Sequence, residues 1–375
     1  MAIIASNTAA QNYIDYAESL GLSNPNRTPL LGQVVGMGGY ETISQTAYNW
    51  VDYQVESTST TLTAPVIAAA TSFTVADSSI FEVGSYAVLN NELVKVTALT
   101  NATTIAVTRA QGGTVAGTGE SGDYVFIAAD GRAEGALFAS EQFKGGANYI
   151  NYTQIITTSV EMTGTALAQD AVGTNGLSKW DLEVAKKQAK HEAKIEKAMM
   201  QGTPLQSGTT RIMGGVRHFL NSGNVVSVGD FSTNFFNKLS ELCRQIYLKG
   251  GDIGDGNYLL ITSPIVMQNV SLKLKDYVTN NTTDLKMYGQ AATSIMNDFG
   301  QIPLLMSPNL QAGEAYLIDI TKIKAIGMAG NSVNRTMQYI EMGIVGDKRQ
   351  AQFLSELTME IRDIHLQGKL VGITF

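Results

Sequence analysis

Residues 178–202, SKWDLEVAKKQAKHEAKIEKAMMQG, carry the signals of one unbroken helix, and a rod of that length limits what can be built around it. Ser178 stands at the N-cap with Asp181 three residues on, in the manner of a capping box. Gly202 is placed just past the end, and Pro204 prevents the helix from resuming. About 24 residues at 1.5 Å each give a rod of roughly 36 Å, close to the width of a small domain. One stripe reads Trp180, Val184, Gln188, His191, Ile195, Met199, and a ladder of small residues runs Ala185, Ala189, Ala193. Lys186, Lys187, Lys190, Lys194 and Lys197 cover most of the remaining surface, with Glu183 and Lys187 spaced for i,i+4 support. Gln188 and His191 interrupt the apolar stripe, so the helix is expected to lie across other elements, its ends packed and its polar middle turned to solvent or neighbours.

At 375 residues the chain has room for two or three domains. Charged residues make up 16%, below the roughly 25% of a typical soluble protein. Two readings fit: a surface rich in Thr, Ser, Asn and Gly, or extensive burial against other subunits, where charge is depleted. The formal net charge of −7 argues against a protein whose main task is to grip nucleic acid, though not against one that encloses it. The single cysteine, Cys243, excludes an intramolecular disulfide framework. The start, MAIIASNTAAQNY, lacks the pattern of a secretory signal, and no apolar run reaches the ~18 residues of a membrane span. A soluble protein of a reducing compartment is expected.

Along the chain, residues 1–40 read as an arm in which only Asn12–Leu20 has helical character. Residues 42–56 then alternate as a strand, with Trp50, Asp52 and Gln54 on one face and Val51, Tyr53 and Val55 on the other. Residues 57–130 change composition to Thr, Ala, Val and Gly, with Lys95 and Arg109 the only basic residues. Short β runs follow one another there, and Asn90-Asn91 makes a hairpin turn between two of them. This segment predicts a small all-β domain inserted into a larger one. Alternation resumes from residue 131 to 165, so the flanking strands are expected to form one extended hairpin with the β module at its tip. Beyond the long helix, 231–251 predicts an amphipathic helix with Phe235, Leu239, Leu242 and Ile246 on one stripe. Several late strands, from TMQYIEMGIV to LVGITF, are expected to pair with earlier ones in an α+β fold.

Catalytic chemistry finds little support. His191, His218 and His365 are scattered, and His191-Glu192 lacks the second histidine of a zinc-protease helix, since Ile195 stands in its place. Cys243 falls among core-facing positions, where a thiol is unreactive. GGDIGDGN (250–257) has the wrong spacing for a calcium loop, and GGTVAGTGESG (112–122) lacks the lysine of a phosphate loop. No metal, cofactor or catalytic residue is predicted. An assembly protein and a module that binds a glycan or surface partner through residues 57–130 remain; an enzyme with an unrecognised site is the weakest reading.

The succession of arm, strand with insertion, long charged helix, TRIMGG, compact α+β region and returning strands resembles the major capsid proteins of tailed double-stranded DNA phages. These have the Hong Kong 97-type fold, which is shared with encapsulins. The resemblance rests on Asn151, Tyr152, Thr153 and Gln154 followed by Gly164-Thr165, on Trp50 and Asp52 in NWVDYQV, on Arg211 with Gly214 and Gly215, and on the closing segment from Gly346. It implies an N-arm (1–40), an E-loop hairpin (41–56 and 131–165), the inserted β domain (57–130), and a peripheral domain (166–215 and 326–375) whose spine helix is 178–202. Residues 216–325 become an axial domain. The implied function is a major capsid protein that self-assembles through hexamers and pentamers into an icosahedral shell around packaged double-stranded DNA, with an encapsulin-like compartment as the alternative. The implied partners are other copies of the chain and scaffolding, portal and decoration proteins; no membrane is involved. The implied place is the virion, after synthesis in the host cytoplasm. Some relatives form Lys–Asn crosslinks; Lys95 and Lys144 are the only lysines of the hairpin and insertion, and no crosslink is predicted.

Overall fold

The computed structural model describes residues 28–38, 40–53, 57–131, 146–168, 178–277, 294–329, 334–344 and 346–375. The candidate helix Asn12–Leu20 lies outside them. The chain divides into two units, one formed by Met1–Asp52, Asn148–Ile246 and Asp252–Phe375, the other by Tyr53–Ala147 and Tyr247–Gly251.

In the first unit, the strand Lys348–Ile361 organises a five-stranded sheet. Gln154–Thr163 runs antiparallel along one edge of it. Gln338–Ile344 and then Ile323–Met328 run antiparallel along the other. Tyr40–Ile43 extends the sheet in parallel with Ile323–Met328. The long helix, Lys179–Gln201, packs on this sheet. Trp180 and Val184 meet Val160, Ala351 and Phe353, while Ile195 and Met199 join a core with Ile156 and Leu357. Ser178 caps the helix as expected: its Oγ accepts from Asp181 N at 3.1 Å and donates to Asp181 Oδ2 at 2.7 Å.

The local reading of the flanks changes in three places. Pro29–Gly38 is a helix with Leu30, Leu31 and Val34 buried, not part of an irregular arm. Proline suits a first helical turn, where its missing N–H would have had no partner. The segment 42–56 breaks at Ser44–Thr46 into Tyr40–Ile43 and Ala47–Asp52, which join different sheets. Of the segment 131–165, residues 132–145 lie outside the described residues, and the remainder breaks at Thr153. Ala147–Tyr152 pairs with Ala47–Asp52 as a two-stranded ribbon, whereas Gln154–Thr163 joins the large sheet. The buried face shifts phase there, from Asn151 and Thr153 to Ile156, Thr158 and Val160, as the partner changes.

A second core forms where Phe231–Leu248 and Pro264–Tyr277 accompany a six-stranded sheet ordered Asn224–Asp230, Gly368–Thr374, Ala315–Asp319, Tyr258–Thr262, Gly300–Met306, Ser294–Asn297. Phe235, Leu239, Leu242, Cys243 and Ile246 are buried, as the stripe predicts. The terminal strand Gly368–Thr374 belongs to this sheet and not to the peripheral one, because it pairs with Asn224–Asp230 and Ala315–Asp319 and buries Leu370 and Ile373 in the second core.

The second unit carries six antiparallel strands ordered Ser59–Thr61, Tyr124–Asp130, Ser85–Leu89, Glu92–Asn101, Thr104–Thr108, Ser72–Thr74. Asn90 adopts φ 53° at the hairpin turn, a conformation asparagine tolerates. The core holds Leu62, Phe73, Val75, Phe81, Leu89, Val94, Ile105 and Val125 among others.

Candidate functional site

The residues that carried the family resemblance converge on one junction inside the first unit, where the ribbon leaves the large sheet. Asn151 is fully buried. Its Nδ2 donates to Gly214 O at 3.0 Å and Met359 O at 2.7 Å, and its Oδ1 accepts from Gly214 N at 2.7 Å. One side chain thus ties the ribbon, the segment after the long helix and the strand Lys348–Ile361. Tyr152 contributes its backbone, with its N–H donating to Asn151 Oδ1 at 2.9 Å. Thr153 donates from N to Thr46 O at 2.9 Å, joining the two points where the strands are interrupted. Gln154 Oε1 accepts from Met213 N at 3.2 Å.

Arg211 donates from Nε to Thr153 O at 3.1 Å and from a terminal nitrogen to Glu356 Oε1 at 2.9 Å. Glu356 is nearly buried; its other oxygen accepts from Arg335 Nε at 2.8 Å. The sequence reading missed Glu356. No local signal marked it, since its strand mixes polar and apolar residues and carries a second acid, Glu360. Gly202, Gly214 and Gly215 allow the return of the chain to pass against the helix end. A Cβ on Gly215 would lie 2.6 Å from Met199 O, and one on Gly202 would lie 2.2 Å from Met213 O. Gly202 itself has φ −55°, so close approach, not left-handed backbone, is what demands glycine there.

Trp50 and Asp52 lie at the same end. The Trp50 ring sits 5.9 Å from Tyr149 and 5.3 Å from Phe219, and Phe219 in turn packs against Gly214. Asp52 accepts from the backbone of Ile364 and Asp363; burial, with the nearby Asp363 carboxylate, pushes its carboxyl above the ordinary range. Trp50 Nε1 and Asp52 Oδ2 are buried without a hydrogen-bond partner among the described residues. Val51 and Tyr53 are exposed, as the alternation predicts, and Gln54 and Val55 lie outside the described residues.

The middle of the long helix is not turned to solvent. Gln188, His191, Glu192 and Glu196 are all buried. His191 Nδ1 is 3.1 Å from Thr158 Oγ1 and Nε2 is 2.8 Å from Ser355 Oγ, so a neutral ring can donate with one nitrogen and accept with the other. Burial, with Lys194 nearby, pushes its pKa down to about 4. The polar stripe is buried because the sheet offers hydroxyls that match it. Glu196 accepts from Leu30 N at 3.1 Å and Leu31 N at 2.7 Å, capping the helix Pro29–Gly38 from afar. Burial pushes its pKa up to about 7.

The other candidates for chemistry are dispersed. Cys243 is buried, and its thiol is pushed up to about 11 by that burial. Asp252 accepts from Gly254 N within a turn. Among the described residues no group of three or more His, Cys, Asp or Glu could hold a metal ion, and no helix is long and apolar enough to cross a membrane. The converging residues do mechanical work: they fix the direction in which the ribbon leaves the sheet.

A family model described as SU10 major capsid protein matches residues 3–374. No curated protein matches the chain. Similar solved structures include the cyanophage A-1(L) capsid asymmetric unit, at 12% identity and TM-score 0.49 over 93% of each chain. The satellite phage P4 procapsid is 9% identical, with TM-score 0.47 over 96% of this chain and 91% of that one. The virus-like particle from Pyrococcus furiosus is 10% identical, with TM-score 0.38 over 61% of this chain and 82% of that one. Since one family model accounts for nearly every residue, the chain belongs to the SU10 major capsid protein family.

Proposed function

We propose that this capsid protein assembles through hexamers and pentamers into an icosahedral shell around packaged double-stranded DNA, without enzymatic activity of its own. The observation that carries the reading is the single capsid family spanning residues 3–374, which makes the chain a structural protein of the virion shell. The architecture supports it: the buried polar side chains of the junction and long helix are engaged in holding elements at fixed angles, which a repeating closed lattice requires. Scaffolding, portal and decoration proteins are the further partners, and synthesis in the host cytoplasm precedes assembly. Electron microscopy and light scattering of the purified chain, alone and with its scaffold, test the proposal. Closed shells of uniform size are expected; a strictly monomeric protein under both conditions would overturn it.

A further inference from the structure

The charges of the long helix are segregated. Glu192 and Glu196 face inward and are buried, whereas Lys186, Lys190, Lys194 and Lys197 are exposed on the other side. Lys187 is half-buried beside them, 3.5 Å from Glu183. Among the described residues Lys186, Lys190 and Lys197 have no carboxylate partner, although the whole chain carries a net charge of −7. Lys194 donates to Thr157 O at 2.6 Å, and burial, with Lys190 and Lys187 nearby, pushes its pKa down. The stripe is therefore a row of like charges held close together, and a polyanion lying on it would relieve their repulsion.

The kind of cation indicates the kind of anion. The most buried carboxylates are held by arginine: Glu92 by Arg109, Glu356 by Arg211 and Arg335, Glu314 by Arg217, Glu360 by Arg362. Lysine pairs instead with more exposed acids, as in Lys322 with Asp363, Lys324 with Glu41 and Lys348 with Glu161. Arginine's planar fork suits such fixed pairs, whereas lysine is a hydrated point charge on a flexible stem. A row of lysines suits an anion that must be held without register. From Lys186 to Lys197 the helix rises roughly 16 Å, the axial length of about five phosphates along one strand of a duplex. Phosphate contacts of this kind carry no sequence information.

We infer that the lysine face of the long helix, Lys186, Lys190, Lys194 and Lys197, is turned to the interior of the shell and contacts the phosphate backbone of the enclosed DNA. The inference rests on the proposed function, since it assigns the inner face of that shell. The test is lysine acetylation by a small reagent, applied to DNA-filled particles and to the same particles emptied of DNA, with modification at each lysine read by mass spectrometry. Lys238, which pairs with Glu241, provides the internal reference. Relative to it, Lys186, Lys190 and Lys197 are expected to react several-fold less in filled particles than in emptied ones. Equal, high reactivity in both would overturn the inference while the filled shells themselves upheld the proposed function. Equal protection in both would also overturn it, because a protein segment would then cover the helix. Failure to form DNA-filled shells at all would overturn the proposed function and this inference with it.

Discussion

Asn151 shows what one side chain can do at a crossing of three segments. Its amide answers both backbone groups of Gly214 and the carbonyl of Met359, in a place without solvent access. Asn151→Ala would leave those groups unmatched, each at a cost of about 1–3 kcal/mol. A total loss of about 3–5 kcal/mol is expected, read as a lower denaturant midpoint of the unassembled subunit at unchanged m-value. Glu196 makes a pH-dependent contribution. Its carboxyl titrates near 7 in the folded chain, above the 4.5 of an ordinary glutamate, so between those values the folded state holds a proton that the unfolded state has released. Stability from this group therefore falls as pH rises from 4.5 through 7. His191, pushed down to about 4, acts in the opposite sense: the unfolded chain binds its proton first, and stability falls as pH drops from 6.5 through 4. Glu196→Gln isolates the first effect. The stability of the native chain relative to this variant should decline by about 3 kcal/mol between pH 4.5 and pH 8, measured by urea denaturation at each pH; a difference independent of pH would refute the assignment. Neither Glu196 nor Glu356 could be identified from the sequence, because their partners are remote: Leu31 lies 165 residues from Glu196, and Arg211 lies 145 residues from Glu356. Asn151, Gln154, Arg211 and Gly214 were recognisable only through the spacing they share with a family, and nothing local showed that they meet.

At the scale of elements, the same helix was legible in its ends and misleading in its middle. Ser178, Asp181 and Pro204 announce its limits through local chemistry, which acts within a turn and so can be read in sequence. Gln188 and His191 look like solvent positions, yet Thr158 and Ser355 of the sheet make burial tolerable, and no pattern within the helix encodes that. The helix Pro29–Gly38 escaped notice for the same reason: its N-terminus is capped by Glu196, not by a neighbouring side chain. Straightness of the long helix should matter more to assembly than to folding. Ala189 lies at its centre, half-buried on the small-residue ladder. Proline there removes one helical hydrogen bond and clashes with the preceding turn, costing about 3 kcal/mol or more. A domain holds about 5–15 kcal/mol in total, so Ala189→Pro is expected to remain soluble and largely folded. The kink recurs in every copy of a closed lattice, and regular shells should be lost. Ala189→Ser, which costs only a few tenths of a kcal/mol of helix propensity, should assemble normally. Circular dichroism and negative-stain microscopy separate the two effects; regular shells from the proline variant would show that the helix is not a rigid spacer.

At the scale of the whole molecule, the chain comprises two units, and the sequence of the second is inserted within that of the first. The insertion reads as a module in composition, in its turns and in its packing. All thirteen residues of its buried cluster lie between Leu62 and Val125, so the core closes without help from outside that segment. A buried ion pair organises its loops. Glu92 accepts from Arg109 Nε at 2.7 Å, from Ala110 N at 3.0 Å and from Gly117 N at 3.1 Å, while Arg109 also donates to Ile67 O at 2.8 Å. Burial works against ionisation of Glu92, but Arg109 and the two backbone donors outweigh it and hold the carboxyl below the ordinary range. A carboxyl so held stabilises the fold at neutral pH, and the contribution is lost as pH falls through its lowered pKa. Six strands around such a core exceed what a β-sheet needs for independent stability. Residues 57–131 expressed alone are therefore expected to give a cooperative thermal transition and β-type circular dichroism. Glu92→Gln should lower the midpoint by several degrees, because Arg109 would be left buried with its carboxylate gone. In the full chain, replacing the same residues with a short Gly/Ser linker should leave the first unit folded, since neither of its main cores contains a residue of the insertion. Loss of the first unit's near-ultraviolet signal in that deletion would mean that the insertion helps to fold the unit that carries it. Retention of the signal, with altered shell yield, would assign the module to contacts between subunits.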